Sequence, residues 1–460
     1  MRGGRSALGR EGRGQGRSYS LFMALLLAAC AAAGDRERLR AESDDAYTLA
    51  ASLVTEVGPR FAGTQGDARA VQWALRTLTG LGFHNVRAEP VAVPRWQRGP
   101  IAVELLKPRV RLLEAVALGG SVATPPGGVE ARVVMVASVE ALEALPDARV
   151  QGRIVFINTR MERRRDGSGY GKAVPARRKG PAVAGARGAR AVLIRSIGTD
   201  LYAHTGTTKY EAGPKVAAAA LSGPSADALE LAFLAGPVTV RMALAARELP
   251  EAQSANVIGE IPGRTGEIVL LGAHLDSWDT TPGANDDAAG VGIVLAAARR
   301  VAALGTPRRT IRVVLFANEE FGLHGAKAYA QARAGELERH AAVLEADSGS
   351  GVPFRLNAWV GEEHWPAVAR MAAELGLETG ANGQKGGADV MVLRKLGVPE
   401  LIVGQDASGY FDVHHTRADT VAALDRAGLD RAAGIFAVLA RFASERTEGL
   451  GRLPPEPEAP

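Results

Sequence analysis

The sequence has little of several features, and each shortage excludes a class of protein. Only one cysteine, Cys30, occurs in 460 residues, so an intramolecular disulfide and a zinc site made of several thiolates are excluded. No segment after residue 30 has about eighteen uninterrupted apolar residues, which argues against a membrane-spanning helix there. A strong charge excess is also missing, because residues 1–29 carry +4 of the formal net charge of +5; we therefore expect no nucleic-acid partner. The chain has 47% hydrophobic and 23% charged residues, the balance of a globular protein of two or three domains.

The N-terminus has the layout of an exported bacterial protein. An arginine-rich stretch precedes the apolar run "LFMALLLAA", which is too short to span a bilayer, and Cys30 follows within "LAAC". This arrangement resembles the lipobox of bacterial lipoproteins, which implies cleavage before Cys30 and lipidation of that residue. We expect residues 1–29 to be a signal peptide and the exported protein to be lipid-anchored in the cell envelope, in the periplasm or at the outer membrane. An ordinary cleaved signal with an incidental cysteine is the alternative.

The rest of the chain divides into segments of different texture. Residues 30–95 carry apolar residues at helical spacing and form the N-terminal part of the main domain. Residues 96–250 show short strand-like runs around a glycine- and arginine-rich stretch, which indicates a separate inserted module. Over 251–446, apolar strands alternate with amphipathic helices, which predicts an α/β fold with a mostly parallel mixed sheet covered by helices on both faces. Residues 447–460 are rich in proline and predict a disordered tail.

Polar residues collect where strands of the predicted sheet end, which is where such sheets bind ligands. His274 ends the strand "EIVLLGAH", and Asp276 follows two residues later. The segment "GANDDAAG" then opens a helix with Asp286 and Asp287. Structure alone could explain both motifs, as a capped strand end and as a helix whose first turn favours acids, with Asn285 as the cap.

Two adjacent carboxylates are harder to explain by structure alone. Glu319 and Glu320 end the next strand and would repel each other unless one binds a cation and the other serves as a general base. Further candidates follow the third and fourth strands: Glu345, Asp347, His414 and His415. Each motif is weak alone, but together, in order and at strand ends, they indicate one site.

Divalent metal ions would allow these acids to lie together. Imidazole nitrogen and carboxylate oxygen suit zinc, with cobalt or manganese as alternatives. Five ligands exceed the three that hold a single catalytic zinc ion. They suit two ions about 3.5–4 Å apart that share one carboxylate.

The ordered motifs "HLD", "PGANDDAAG", "NEE", "EAD" and "HTRADT" resemble the co-catalytic di-zinc aminopeptidase-like metallopeptidases, in particular the plasma glutamate carboxypeptidase (carboxypeptidase Q) branch. The resemblance implies two zinc ions per chain, one held by His274, Asp286 and Asp347 and the other by Asp286, Glu320 and His415. Asp286 rather than Asp287 would bridge them, because it lies four residues before Gly290, as the bridging aspartate of the family does.

The same resemblance implies the remaining roles. Glu319 would be the general base, Asp276 would orient His274, and His414 would contact substrate. The implied reaction is hydrolysis of dipeptides or short peptides, by a chain that forms a homodimer. The alternatives are other amide chemistry with one metal, such as glutaminyl cyclisation, a non-catalytic relative of this fold, and a binding lipoprotein.

The inserted segment resembles the protease-associated domain, which implies that it covers part of the active-site cleft, with "HTGTTKY" facing the cleft. One position departs from the family pattern. Val390 stands where many relatives have a histidine after the aspartate, which leaves a substrate-binding role for Asp389 without support.

Overall fold

A computed structural model of the chain describes residues 34–199, 201–210 and 213–456. The predicted signal peptide and Cys30 lie outside these residues. Within them, the strands in chain order are β1 (His84–Gln97), β2 (Ile101–Lys107), β3 (Arg111–Leu113), β4 (Ala115–Ala117), β5 (Val129–Val136), β6 (Ile154–Ile157), β7 (Ala191–Arg195), β8 (Ala217–Leu221), β9 (Thr239–Leu244), β10 (Arg247–Ile261), β11 (Ile268–His274), β12 (Thr310–Phe316), β13 (His340–Glu345), β14 (Pro353–Trp359), β15 (Glu378–Asn382) and β16 (Glu400–Gln405).

Helices connect and cover these strands. In chain order they are α1 (Asp45–Val57), α2 (Gln65–Gly80), α3 (Val139–Glu143), α4 (Asp147–Val150), α5 (Ser168–Ala173), α6 (Pro175–Arg178), α7 (Gly180–Ala186), α8 (Gly223–Ala232), α9 (Ala289–Ala303), α10 (His324–Ala332), α11 (Trp365–Glu374), α12 (Val390–Lys395), α13 (Tyr410–Val413) and α14 (Arg426–Glu445). No helix of the described ranges combines the length and the apolar character that crossing a bilayer requires.

The main sheet has eight strands in the order β1-β10-β12-β11-β13-β16-β14-β15. Its centre is parallel, because β11 pairs in parallel with both β12 and β13. Antiparallel pairs are β1 with β10, β10 with β12 and β14 with β16, whereas β14 and β15 are parallel. Helices α1, α2, α9, α11 and α14 share a hydrophobic core with one face, and α10 and α12 pack on the other. The predicted mixed sheet with helices on both faces is confirmed.

The register of the central strands explains why distant motifs meet. His274 pairs with Phe316 across β11 and β12, and Gly272 pairs with Glu345 across β11 and β13. The strands therefore end at one edge, and the residues that follow each strand must emerge side by side. This edge is where the polar motifs lie.

A second eight-stranded sheet, in the order β3-β2-β9-β5-β6-β7-β8-β4, is built from the stretch between β1 and β10. We call residues 101–244, which carry it, the inserted module. The sequence does not predict strand β8, because "AAAAL" has none of the β-branched or aromatic residues that favour strands. Two short helices of the glycine- and arginine-rich stretch, α6 and α7, are separated at Lys179.

Part of the C-terminal tail packs against the main domain, which differs from the disorder predicted for residues 447–460. Leu450 is buried, the Leu453 amide donates to the carbonyl of Gly397, and Glu456 lies 2.6 Å from a guanidinium nitrogen of Arg394. Arg394 is fully buried, so the tail supplies a carboxylate that this cation needs. Residues 457–460 lie outside the described part of the chain.

Candidate metal centre

Asp286 lies between two histidines, His274 and His415, that are far apart in the sequence. Its Oδ1 is 3.0 Å from Nε2 of His274, and its Oδ2 is 3.1 Å from Nε2 of His415. His274 ends β11, whereas His415 follows α13 in a loop with φ of 61°. One carboxylate therefore faces an imidazole with each of its two oxygens.

The first half of the centre consists of His274 with two acids. Asp347, two residues beyond β13, places Oδ1 3.7 Å from Nε2 of His274. On the other side of the ring, Nδ1 lies 3.1 Å from the backbone carbonyl of Asp276 and 3.7 Å from its carboxylate. This arrangement directs Nε2 towards Asp286 and Asp347 and fixes the ring orientation, as outer partners of metal-binding histidines do.

The second half consists of His415 with Glu320. Glu320 places Oε2 3.0 Å from Nε2 of His415, while Nδ1 of His415 lies 3.3 Å from the carbonyl of Thr205. His414 stacks on His415 with the ring centroids 3.6 Å apart, and its Nε2 lies 3.6 Å from Oδ2 of Asp286. The structure thus brings together all seven residues predicted around the metals, together with Glu319, whose amide donates to Asp276 at 3.0 Å.

Donor atoms within 4.8 Å of one another form two groups: Asp286 with His414 and His415, and His274 with Asp287 and Asp347. The second group contains Asp287, but both carboxylate oxygens of Asp287 already accept backbone hydrogen bonds, from His274 and from Gly290, each at 3.0 Å. Oδ2 of Asp286 faces Nε2 of His415 at 3.1 Å but accepts no hydrogen bond of good geometry within the described part of the chain. Asp286 is therefore the acid with an oxygen still open to a cation, whereas Asp287 fixes the start of α9.

One prediction about this loop needs correction, and one supporting residue must be added. Asn285 does not cap α9; the amide of Gly290 is satisfied by Asp287, and Asn285 instead bonds the carboxylate of Asp419. Asp419 also accepts from the backbone of Asn285 and of Asp286, at 2.7 and 3.1 Å. Asp419 thereby sets the position of Asp286, a role that the motif "HTRADT" contained but that sequence analysis did not assign.

Glu345, the other acid of the "EAD" motif, serves structure. Its carboxylate accepts from the amides of Asp389 and Val390, at 3.2 and 2.7 Å, and so caps α12. Val390 packs in the core, and the Asp389 carboxylate is buried with no hydrogen-bond partner among the described residues. Burial, followed by the nearby Glu345 and Glu319, raises the pKa of Asp389 well above its usual value.

Sequence analysis also missed Arg60, which is fully buried beneath the centre. Its guanidinium donates to the carbonyls of Leu275, at 2.6 Å, of Gly283, at 3.0 Å, and of Pro282. These bonds hold the loop that joins His274 to Asp286. A single arginine in the connection between α1 and α2 carries no sequence signal for such a role.

Burial and the neighbouring charges shift the pKa values of the acids and imidazoles of the centre. Burial disfavours the charged imidazoles, but the facing carboxylates outweigh it and raise the pKa of His274 and of His415 well above the usual value. Burial raises the pKa of Glu320 to about 7, with Asp286 adding to the effect. Burial and the neighbouring acids raise the pKa of Glu319 well above its usual value. Burial and His415 hold the pKa of His414 well below its usual value.

Divalent cations fit this donor set. Asp276, Asp286 and Glu320 each have one buried oxygen that accepts no hydrogen bond from the described residues, which is costly unless another partner is present. The facing carboxylates raise the pKa of both imidazoles, so positive charge is favoured at the positions where cations would lie. Nitrogen and carboxylate donors without thiolates match zinc.

The inserted module touches one side of the centre. Thr205 and Thr207, in the segment "HTGTTKY", contact His415 and the backbone of Glu320. The segment predicted to face the cleft therefore contacts the His415 side of the centre.

A cavity of about 370 Å³ opens beside Asp347. Its walls include aromatic side chains, the loop that leads to α12 and the turn at Asp166 of the inserted module; among the lining residues are Phe354, Lys385, Tyr410 and Phe411. The centre therefore adjoins a space of small-molecule size.

Comparison with known proteins gives consistent matches. The sequence profile of peptidase family M28 matches residues 256–440. Carboxypeptidase Q of Mus musculus is 33% identical over 418 residues, which cover 88% of this chain and 87% of that protein. The crystal structure of a peptidase M28 precursor from Shewanella amazonensis SB2B is 40% identical, with a TM-score of 0.89 over 93% of this chain and 98% of that one. A zinc aminopeptidase from Bacillus subtilis shares the fold, with a TM-score of 0.64 at 20% identity, over 89% of this chain and 97% of that one.

Proposed function

The chain belongs to peptidase family M28 and is a zinc metallopeptidase, and from this we propose that it is an exopeptidase acting on dipeptides or short peptides. The proposal includes two zinc ions, one between His274, Asp286 and Asp347 and the other between Asp286, Glu320 and His415. The position of Asp286, with one oxygen towards each histidine at 3.0 and 3.1 Å, is the observation that carries it. A carboxylate that serves one ion needs no second imidazole on its other oxygen.

Two bound ions would lower the pKa of a water molecule and polarise the scissile carbonyl. The part of the chain in the reaction is then proton transfer. Glu319 follows β12 beside Glu320, and its carboxylate forms no hydrogen bond within the described residues. It is free to take a proton from the attacking water and to return it to the departing amine as the C–N bond breaks. Asp276 holds the Glu319 backbone through the 3.0 Å hydrogen bond and touches His274 from its other side.

The cavity beside Asp347 supports a small substrate. Its volume of about 370 Å³ is near the lower end of small-molecule sites. The inserted module contributes Asp166 and Gly167 to the wall, which limits how far a peptide can extend. We propose that His414, which stacks on His415 with the ring centroids 3.6 Å apart, contacts the substrate.

A panel of peptides tests the proposal. The zinc-loaded chain should cleave unblocked dipeptides, and N-acetylation should lower kcat/KM by roughly 10–100-fold. The reason is that a charged α-amine beside these carboxylates contributes about 1.5–3 kcal/mol. C-terminal amides of the same dipeptides separate dipeptidase from aminopeptidase action. Equal hydrolysis of blocked and free peptides would contradict exopeptidase action, and a content of one zinc ion per chain would favour the glutaminyl cyclase-like alternative.

We also propose that the protein is held at the cell envelope by lipid on Cys30. The support is the "LAAC" sequence after a short apolar run. Cys30→Ser should release the protein from the membrane fraction and abolish incorporation of labelled fatty acid, with peptidase activity retained. A Cys30→Ser protein that still sediments with membranes would contradict this anchor.

A further inference from the structure

The contacts of the inserted module with the metal centre are one-sided. Every hydrogen bond that the module makes there goes to His415, to Glu320 or to their backbone. Within the described ranges, His274 and Asp347 receive no hydrogen bond from residues 101–244. Their polar partners belong to the main domain.

On the His415 side, residues of the module lie around Nδ1, the ring nitrogen that points away from Asp286 and Glu320. The Thr205 carbonyl lies 3.3 Å from Nδ1 of His415, and the Thr205 amide donates to the His415 carbonyl at 3.2 Å. The guanidinium of Arg177, which is 6% exposed, donates to the same Thr205 carbonyl at 3.2 Å and lies 3.4 Å from Nδ1. Nδ1–H of His415 and the Arg177 guanidinium can both donate to the Thr205 carbonyl. In that arrangement Arg177 acts through Thr205 and not through Nδ1, and Nε2 of His415 is left free to bind a cation.

The module holds Glu320 through its backbone. The hydroxyl of Thr207 donates to the Glu320 carbonyl at 2.6 Å. The next residue, Phe321, packs edge-on against Trp278, and both belong to the core that the main domain shares with the module. Trp278 also lies against the His415 ring, with centroids 5.8 Å apart.

The segment that makes these contacts is fixed inside the module. Gly119 and Gly206 are joined by a backbone hydrogen bond at 3.0 Å, and the Thr208 amide donates to Gly119 at 2.8 Å. Arg98 donates to the Thr205 hydroxyl at 2.8 Å and pairs with Asp279 of the main domain at 2.6 Å. The position of the Thr205 carbonyl therefore depends on how the module sits against the main domain.

We propose that the inserted module acts as an outer shell for one metal site only. Through Arg177, Thr205 and Thr207 it orients His415 and Glu320, so affinity for the ion between them depends on module contacts. Affinity for the ion between His274 and Asp347 does not depend on these contacts. Arg177 and Thr207 are positioning residues in this scheme. The inference rests on the proposed two-metal function and adds an asymmetry between the two ions.

Zinc affinity measured by chelator competition, site by site, tests the inference in the full-length chain. Asp347→Asn weakens the His274 side and isolates the ion at His415. In that background, Arg177→Met and Thr207→Val should each weaken the remaining ion by roughly 10–100-fold, the range for outer-shell partners of metal ligands. In a His415→Ala background, the same two substitutions should leave the remaining ion unchanged.

Matched controls separate this effect from misfolding. Arg178→Met, on the exposed side of the same helix, should change neither affinity, and Thr207→Ser, which keeps the hydroxyl donor, should restore the wild-type value. Equal weakening at both sites, or none at either, would overturn the inference while two ions in the wild-type chain keep the proposed function intact. A wild-type chain that binds one ion would overturn both.

Discussion

Glu319→Gln is expected to keep both metal ions and to lower kcat by about 10²–10⁴-fold, the contribution typical of a positioned general base. The glutamine side chain has the shape of the glutamate side chain but cannot accept the proton of the attacking water. The backbone N–H of residue 319 still donates to Asp276, so the loop after β12 should stay in place. Zinc content by elemental analysis and steady-state kinetics on an unblocked dipeptide measure the two halves of this expectation.

Two other glutamates supply the controls. Glu338→Gln, on an exposed turn, should leave both quantities unchanged. Glu320→Gln should instead release zinc, because Glu320 faces Nε2 of His415 at 3.0 Å. If Glu319→Gln turns over at a near-normal rate, the base lies elsewhere; if it loses zinc, Glu319 is a ligand and its assignment must be exchanged with that of Glu320.

The main fold and the site residues could be predicted because their signals are local in the sequence. Apolar runs such as "EIVLLGA" and "TIRVVLFA" identify central strands, and parallel central strands must end at one edge. Once β11 and β12 are in register, His274 and Glu320 have to meet near that edge. The pattern therefore located both halves of the centre without any knowledge of distances.

The supporting contacts could not be predicted because they join residues with no local pattern. The hydrogen bond from Thr207 to Glu320 spans 113 positions, and the Arg60 contacts with the loop before Asp286 span more than 200. Such contacts depend on how two sheets pack together. They also depend on which buried acceptors need a donor, and neither is encoded as periodicity or as spacing.

The spacing to Gly290 and the contacts of the two carboxylates both favour Asp286 over Asp287 as the shared ligand, and two substitutions test that choice. Asp286→Ala should remove the carboxylate shared by His274 and His415. It should therefore weaken both ions by more than about 100-fold, beyond the range for outer-shell partners, and reduce peptide hydrolysis to the level of the metal-free chain. Zinc stoichiometry after dialysis and dipeptide hydrolysis in excess zinc would show both losses.

Asp287→Ala should act on stability. Its carboxylate holds the amides of His274 and Gly290 in a fully buried position, so truncation leaves two backbone donors unsatisfied. We expect the free energy of unfolding of the metal-free chain to fall by about 2–4 kcal/mol, with two zinc ions still bound by the folded fraction. Urea unfolding gives the first quantity and elemental analysis the second. If Asp287→Ala instead loses both ions and Asp286→Ala keeps them, Asp287 bridges the metals. The unpaired Oδ2 of Asp286 would then need another explanation.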